Sequence, residues 1–499
     1  MPEKNSADVG FEQEIWAAAD VLRGNMDAAE YKHVVLGLIF LKYISDCFET
    51  RYNELLADKD DVEDKDAYAE VGVFFVPPSA RWNVISDAAH KEEIGMVIDD
   101  AMRTIEKENK RLKDILPKNY ARNDLDKRRL GNVVDIFTNI RMVEHGTHKD
   151  ILGRTYEYCL AKFAEKEGKR AGEYFTPSCI VRTLVEVLQP FEGRVYDPCC
   201  GSGGMFVQSV DFVNHHSGNV NNMSIFGQDS NPTTRKMALM NLAIRGIEAN
   251  LGEGYADTFH NDLHPNLKAD FILANPPFNI SNWYGAKLKD DPRWKYGLPP
   301  KGNANFAWIQ HMIHHLSPNG KMGVVLANGA LTSETGGEDE IRRKIVEDDL
   351  LEGIITMPTN LFYSVTIPSS LWFINRNKKQ KGKTLFIDAR KMGVMINRKL
   401  RELTSEDISK IVATFGAFND GTLENAKGFC ASVTTADVVE QKYKLTPGLY
   451  VGVEKREEDS ESFDEKMLRL TSELSEMFER SYECEVEIRK RLRGLGYEL

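Results

Sequence analysis

The residues with the most definite chemistry are Asn275, Pro276, Pro277 and Phe278, which follow the apolar run 269–274 (ADFILA). The side-chain oxygen of Asn275 accepts hydrogen bonds. The carbonyl of Pro276 is a second acceptor. Two prolines fix φ and hold that carbonyl rigid, and Asn275 is itself restricted by the proline after it. Two fixed acceptors suit a planar NH₂ group whose lone pair is delocalised into a ring. Bonding both hydrogens favours a pyramidal nitrogen and aims its lone pair at an electrophilic carbon. Phe278 offers a flat face for stacking on a base, which a duplex must first extrude. No strong general base is required, because the amine becomes acidic only as the new bond forms. In isolation Asn-Pro-Pro is equally good turn sequence.

Two segments upstream supply a ligand site. Asp197 stands at the end of a short apolar run and opens DPCCGSGG, in which Gly201, Gly203 and Gly204 let the backbone turn tightly and approach a ligand. Such a loop could equally hold a phosphate of a dinucleotide. A nucleoside triphosphate is disfavoured, because G-x-x-x-x-G-K-[ST] is absent. About thirty residues later, the length of one β-α-β unit, Asp229 lies in GQDSNP. A carboxylate at a strand end there can accept from both ribose hydroxyls. The alternative is a helix cap, since Asn231-Pro232 opens a helix; the glycine loop ahead of it favours ribose.

Other candidates carry less. His311, His314 and His315 (HMIHHL) have metal-compatible spacing, but no acidic or cysteine partner lies near them in sequence, and no metal is expected. Trp283, Trp294 and Tyr296 sit in a polar stretch and read either as DNA-stacking groups or as incidental aromatics of a disordered loop. The seven cysteines are scattered without a C-x-x-C pair and read as reduced, mostly buried thiols.

These motifs need a scaffold. Residues 8 to about 150 read as helical: Val34, Val35, Leu38, Leu41, Ile44 and Phe48 recur at three- and four-residue steps. Gly24 reads as a helix stop, 57–66 as an exposed loop, 71–82 as extended, and 90–113 and 126–143 as helices. Beyond the charged stretch 165–170, strand-like runs at 194–197, 224–229, 269–275, 321–328, 351–357 and 370–375 alternate with helices at 178–189, 231–247, 303–316 and 338–348. Alternation implies an α/β fold with a parallel, doubly wound sheet, in which ligands bind beyond the carboxyl ends of strands. The motifs fall on those loops. From 463 to 499, Phe463, Met467, Leu470, Leu474, Met477 and Phe478 form a narrow apolar stripe on a charged helix, suited either to its own domain or to a partner. The expected organisation is 1–150 helical, 151–450 catalytic and 451–499 a helical tail.

With 499 residues, 42% hydrophobic and 28% charged, the chain reads as a soluble multidomain protein of the cytoplasm, without membrane span or secretory leader. A net charge of −12 argues against a surface that grips nucleic acid throughout, and leaves room for a partner that supplies DNA affinity.

Taken together with GEYFTP at 172–177, these motifs resemble the amino-methyltransferases of DNA, and more narrowly the modification subunit of Type I restriction–modification systems, over nearly the whole chain. The resemblance implies a Rossmann-like, S-adenosylmethionine-dependent methyltransferase domain and N6-methylation of adenine. Gly172, Glu173, Tyr174, Phe175, Thr176 and Pro177 would close over the methionine end of the cofactor. Ser202, Gly203 and Gly204 would line the same cleft, Asp229 would take the ribose, and Asp257, in GYADTF, the cofactor adenine. Asn275 to Phe278 would form the target-base pocket. It further implies double-stranded DNA with the adenine flipped out, a separate specificity subunit carrying two copies of this chain, and a restriction subunit as a further partner. The competing readings are a self-sufficient DNA methyltransferase, an enzyme for protein glutamine or RNA, and a non-catalytic cofactor-binding module.

Overall fold

The computed structural model describes residues 16, 20, 22, 28–140, 158, 159, 162, 176–216, 218–283, 285–362, 368–397, 400–452 and 463–494. Gly24 and Gly172 to Phe175 lie outside them. Two compact units are present, Met1–Val451 and Gly452–Leu499.

Helix α1 (Ala28–Asp58) buries the apolar stripe expected there: Val34, Val35, Leu38, Leu41, Ile44 and Phe48. Helices α2 (Ile94–Glu108) and α3 (Lys127–Thr138) follow, each burying one apolar face. Together they enclose a helical core, which also takes Met237 and Met240 from helix α6 (Pro232–Ile244), a helix of the catalytic sheet.

Nine strands form the central sheet. Its members in chain order are β1 (Gly193–Asp197), β2 (Met223–Gly227), β3 (Ala249–Asn250), β4 (Ala269–Ala274), β5 (Leu316–Ala327), β6 (Leu351–Thr356), β7 (Ser369–Asn375), β8 (Lys383–Asp388) and β11 (Cys430–Thr434). A separate hairpin is made by β9 (Val394–Met395) and β10 (Arg401–Glu402). Across the main sheet the order is β11-β8-β6-β7-β5-β4-β1-β2-β3. The sheet is mixed, which corrects the expectation of a parallel one: β7 runs antiparallel to both β5 and β6, and β11 antiparallel to β8. Strands β6 and β7 are buried along their whole length, as strands covered on both faces must be.

The covering helices are α4 (Ser178–Leu188), α5 (Gly204–His215), α6, α7 (Asn305–His315), α8 (Glu338–Glu347) and α9 (Ser405–Asp420). Two apolar cores lie against the two faces. Strand order reverses direction at β1, which pairs with β2 on one side and β4 on the other. A crevice opens beyond the carboxyl ends of strands at such a point, and there both the glycine loop and the Asn275 segment leave the sheet.

The second unit holds helix α10 (Phe463–Gly494). Its apolar residues are exposed, Leu468 at 72% and Phe478 at 66%. Pairs Arg469–Glu473, Arg489–Glu485 and Arg491–Glu487, each at i,i+4, brace it. Among the described residues no helix is long and apolar enough to cross a membrane.

Candidate active site

One cleft at the β1/β4 crevice gathers residues from four segments: Thr176 ahead of α4, Asp197 to Gly204 after β1, Asp229 and Asp257 beyond β2, and Asn275 with Pro277 after β4. Gly201 and Gly203 adopt φ of 55° and 79°, left-handed values that disfavour a Cβ. Gly203 thereby turns the chain straight into α5. Two backbone bonds lace the strand ends together, Gln228 N–H to the Asp197 carbonyl at 3.2 Å and Cys200 N–H to the Gln228 carbonyl at 3.0 Å.

Asp197 is 2% exposed. Burial pushes its carboxyl up to about 7, against the pull of the Cys199 N–H that it accepts at 3.0 Å. Burial raises Asp229 as well. Asp229 accepts from Gly201 N–H at 3.1 Å and from Asn231 N–H at 2.8 Å. The helix cap is Asn231, whose oxygen accepts from Thr233 and Thr234, so the capping alternative for Asp229 falls. Each Asp229 oxygen spends one lone pair on the backbone and keeps another for a ligand.

Asp257 reaches the cleft while its Oδ1 accepts from Phe259 and His260 N–H. The neighbouring Asp262 is turned away into an ion pair with His315 at 2.9 Å.

Asn275 donates through Nδ2 to Thr176 Oγ1 at 2.9 Å. Its Oδ1 is shielded from water and has no partner among the described residues. A buried acceptor left unmet costs about 1–3 kcal/mol, and such groups collect at functional sites. Phe278 is half-buried with its ring 6.0 Å from Phe362, edge to face. Pro276 is buried. Pro177, Gly203, Pro276 and Phe278 are not among the residues that line the cleft.

The loop after Phe278 departs from both expectations for it. Trp283, Trp294 and Tyr296 are at most 9% exposed. Trp283 donates to the Pro300 carbonyl at 3.0 Å and Trp294 to the Leu288 carbonyl at 2.7 Å. The two tryptophans pack around Phe259, Tyr296 donates to Asp348 Oδ2 at 2.5 Å, and none of the three rings is an exposed platform for DNA. Trp283 does reach the cleft, where Phe259, Ile280 and Trp308 form an aromatic and apolar wall.

Sequence reasoning missed the polar groups that hold this loop. Asn279, at φ 55°, and Asn305 form a reciprocal pair: Asn279 N–H to Asn305 Oδ1 at 3.0 Å, and Asn305 Nδ2 to Asn279 Oδ1 at 2.9 Å. Buried Arg293 donates to the carbonyl of Thr258 and pairs with Asp291 at 2.7 Å. The one available signal was a polar residue, Asn305, opening a helix whose next four residues are apolar.

The histidines do have an acidic partner, contrary to the sequence reading. Asp262, His311 and His315 come together in space. Their nitrogens are already engaged, His311 with Arg293 and Tyr196 at 3.0 and 3.2 Å, His315 with the Leu267 carbonyl and Asp262. Burial would raise the Asp262 carboxyl, but the hydrogen bond from His315 and the neighbouring imidazoles hold it below the usual carboxylate range, while burial pushes His311 well below its ordinary value. The group is a hydrogen-bonded core network with a guanidinium in contact.

Known proteins resemble the chain over most of its length. The family described as N-6 DNA Methylase matches residues 147–459, and the HsdM N-terminal domain matches 11–137. The Type I restriction enzyme HindI methylase subunit of Haemophilus influenzae is 47% identical, over 85% of this chain and 100% of its own. The MjaIX methylase subunit of Methanocaldococcus jannaschii is 39% identical, over 98% and 92%. The crystal structure of the type I restriction-modification methyltransferase subunit from Streptococcus thermophilus shares the fold, with TM-score 0.75 and 24% identity over 88% of this chain and 99% of that one.

Proposed function

The chain belongs to the N-6 DNA methylase family, and from that premise we propose how its cleft carries out the reaction. It is an adenine-specific DNA methyltransferase and the modification subunit of a Type I restriction–modification system. Membership implies S-adenosylmethionine as the methyl donor. When bound, that cofactor supplies a methyl group on a cationic sulfur, with neutral sulfur as the leaving group.

The donor set fits it. Two buried carboxylates, Asp197 and Asp229, suit a cationic ligand with ribose hydroxyls, and left-handed Gly201 and Gly203 keep side chains out of the way. Gly172 to Phe175 are proposed to close over the methionine end together with Thr176 and Pro177. Ser202 and Gly204 would line that part, with Gly203 turning the chain behind them; Asp229 would hold the ribose, and Asp257 the adenine of the cofactor.

The observation that carries the reading is the unmet Oδ1 of Asn275 in the same cleft as Asp197 and Asp229. Asn275 Oδ1 and the Pro276 carbonyl would grasp both hydrogens of the target amine, with Pro277 keeping the corner stiff. Phe278 would stack on the base. In duplex DNA the adenine must leave the stack to arrive there.

Recognition of sequence is assigned to a separate specificity subunit, carrying two copies of this chain, in the cytoplasm. The exposed apolar stripe of α10 is the proposed docking element. A restriction subunit is a further partner of that assembly. The test is transfer of labelled methyl to DNA by the chain with and without its specificity subunit. Efficient sequence-specific transfer by the chain alone would refute the division of labour.

A further inference from the structure

We infer that Thr176 is the positioning residue for Asn275, selecting which end of its carboxamide meets the target base; this rests on the base-pocket reading above. A carboxamide has nearly the same shape when turned over, and its two ends have opposite hydrogen-bonding character. With the oxygen toward the base, the amine is attracted. With the NH₂ toward the base, donors face donors and the amine is repelled. Stacking and shape do not separate these states, so a hydrogen-bonding neighbour must.

Thr176 is that neighbour. Its Oγ1 lies 2.9 Å from Asn275 Nδ2, and Asn275 Oδ1 has no partner among the described residues. The contact joins residues 99 apart in sequence. Its threonine end is held firmly: Pro177 follows Thr176 and N-caps α4, whose residues Ile180, Val181 and Leu184 are buried against the sheet. A residue before proline is confined to extended backbone, so the hydroxyl has little room to move. By accepting from Nδ2, Thr176 keeps the oxygen on the other side. Its own proton stays available to a ligand of the cleft, which Thr176 also lines.

The consequence is selectivity between bases. An oxygen-first Asn275 favours an amino group at position 6 of a purine and rejects a carbonyl. An Asn275 free to turn over accommodates either. The experiment measures DNA affinity of the complex assembled with its specificity subunit, with S-adenosylhomocysteine present. Two duplexes are compared, one with adenine and one with hypoxanthine at the target position. Differences in duplex stability are common to all variants and cancel in the ratio of affinities.

Thr176→Val preserves shape and removes the acceptor. It is expected to narrow the preference for adenine about tenfold, the effect of one hydrogen bond. Thr176 also lines the cofactor side of the cleft, so cofactor affinity is read separately by calorimetry with S-adenosylmethionine and the duplex titrations are run at saturating S-adenosylhomocysteine. Thr176→Ser keeps the hydroxyl and should keep the preference. An unchanged preference in Thr176→Val overturns the inference, as does a loss carried wholly by cofactor affinity, or a Thr176→Ser variant that behaves like valine. If wild type shows no preference and Asn275→Ala matches it, the base-pocket reading itself has failed. If Asn275→Ala loses the preference while Thr176→Val retains it, only the role of Thr176 has.

Discussion

Arg293 reaches across the cleft wall and donates through Nη1 to the carbonyl oxygen of Thr258 at 3.0 Å. One residue thereby ties the loop after Phe278 to the turn that presents Asp257. Arg293→Ala would leave half-buried Asp291 and the Thr258 carbonyl without this donor, at a cost of about 2 kcal/mol. A lower melting temperature is expected together with weaker cofactor binding. Unchanged melting would show that the loop holds its shape without the guanidinium.

Asn275→Ala should lower transfer roughly 100-fold or more, the scale for losing one fixed hydrogen-bond partner of a reacting group. Cofactor affinity should be nearly intact, because the partner proposed for Asn275 is the base. Normal turnover in labelled-methyl assays would contradict the mechanism.

Cofactor affinity should depend on pH through Asp197. Burial raises this carboxyl to about 7, above its ordinary value of 3.8. Its contribution to stability is therefore whole at pH below that ordinary value and is lost as pH rises through 7. A cationic ligand needs the ionised form. Affinity should rise about tenfold between roughly pH 6 and 8, following the ionised fraction of such a group, with proton release on binding. Calorimetry in buffers of different ionisation heat reads both; Asp197→Asn should bind weakly and without the pH dependence.

Two adjacent glycines separate backbone from ligand effects. Gly203 has φ 79°, so alanine there should cost about 1–2 kcal/mol of stability. Gly204 has open space around a Cβ and lines the cleft. Gly204→Ala should leave melting unchanged and weaken cofactor binding. The reverse pattern would mean that the loop meets its ligand through Gly203.

Removal of residues 463–499 should abolish assembly with the specificity subunit and leave cofactor affinity unchanged. Size-exclusion chromatography of the mixed proteins decides it: co-elution of the shortened chain would rule out α10 as the docking element.

Much of the scaffold was legible because buried strands are short apolar runs with turn residues behind them. The sequence reading locates β1, β4, β6 and β7 to within one or two residues. Direction is a different matter: Ser369–Asn375 is apolar whichever way it runs, and only its neighbours make it antiparallel. Strand β11, CASVT, is too weakly apolar to stand out. Cleft residues next to motifs, such as Asp229 and Asn275, were accessible; Thr176 was carried by resemblance alone. The Asn279–Asn305 and Arg293–Thr258 bonds were not, because they join residues 26 and 35 apart through geometry that no local pattern encodes. Trp283 and Trp294 misled because polar neighbours in sequence do not imply water in space.

The two methionines that α6 lends to the N-terminal helices set a limit on dissection. Helix α6 starts three residues after Asp229, at the cap that orients that strand end. A fragment trimmed to 147–459 would uncover Met237 and Met240, on the helix that follows Asp229. What evolution records as two modules is thus expected to melt in a single transition, with the amino-terminal helices serving as a floor for the segment that carries Asp229.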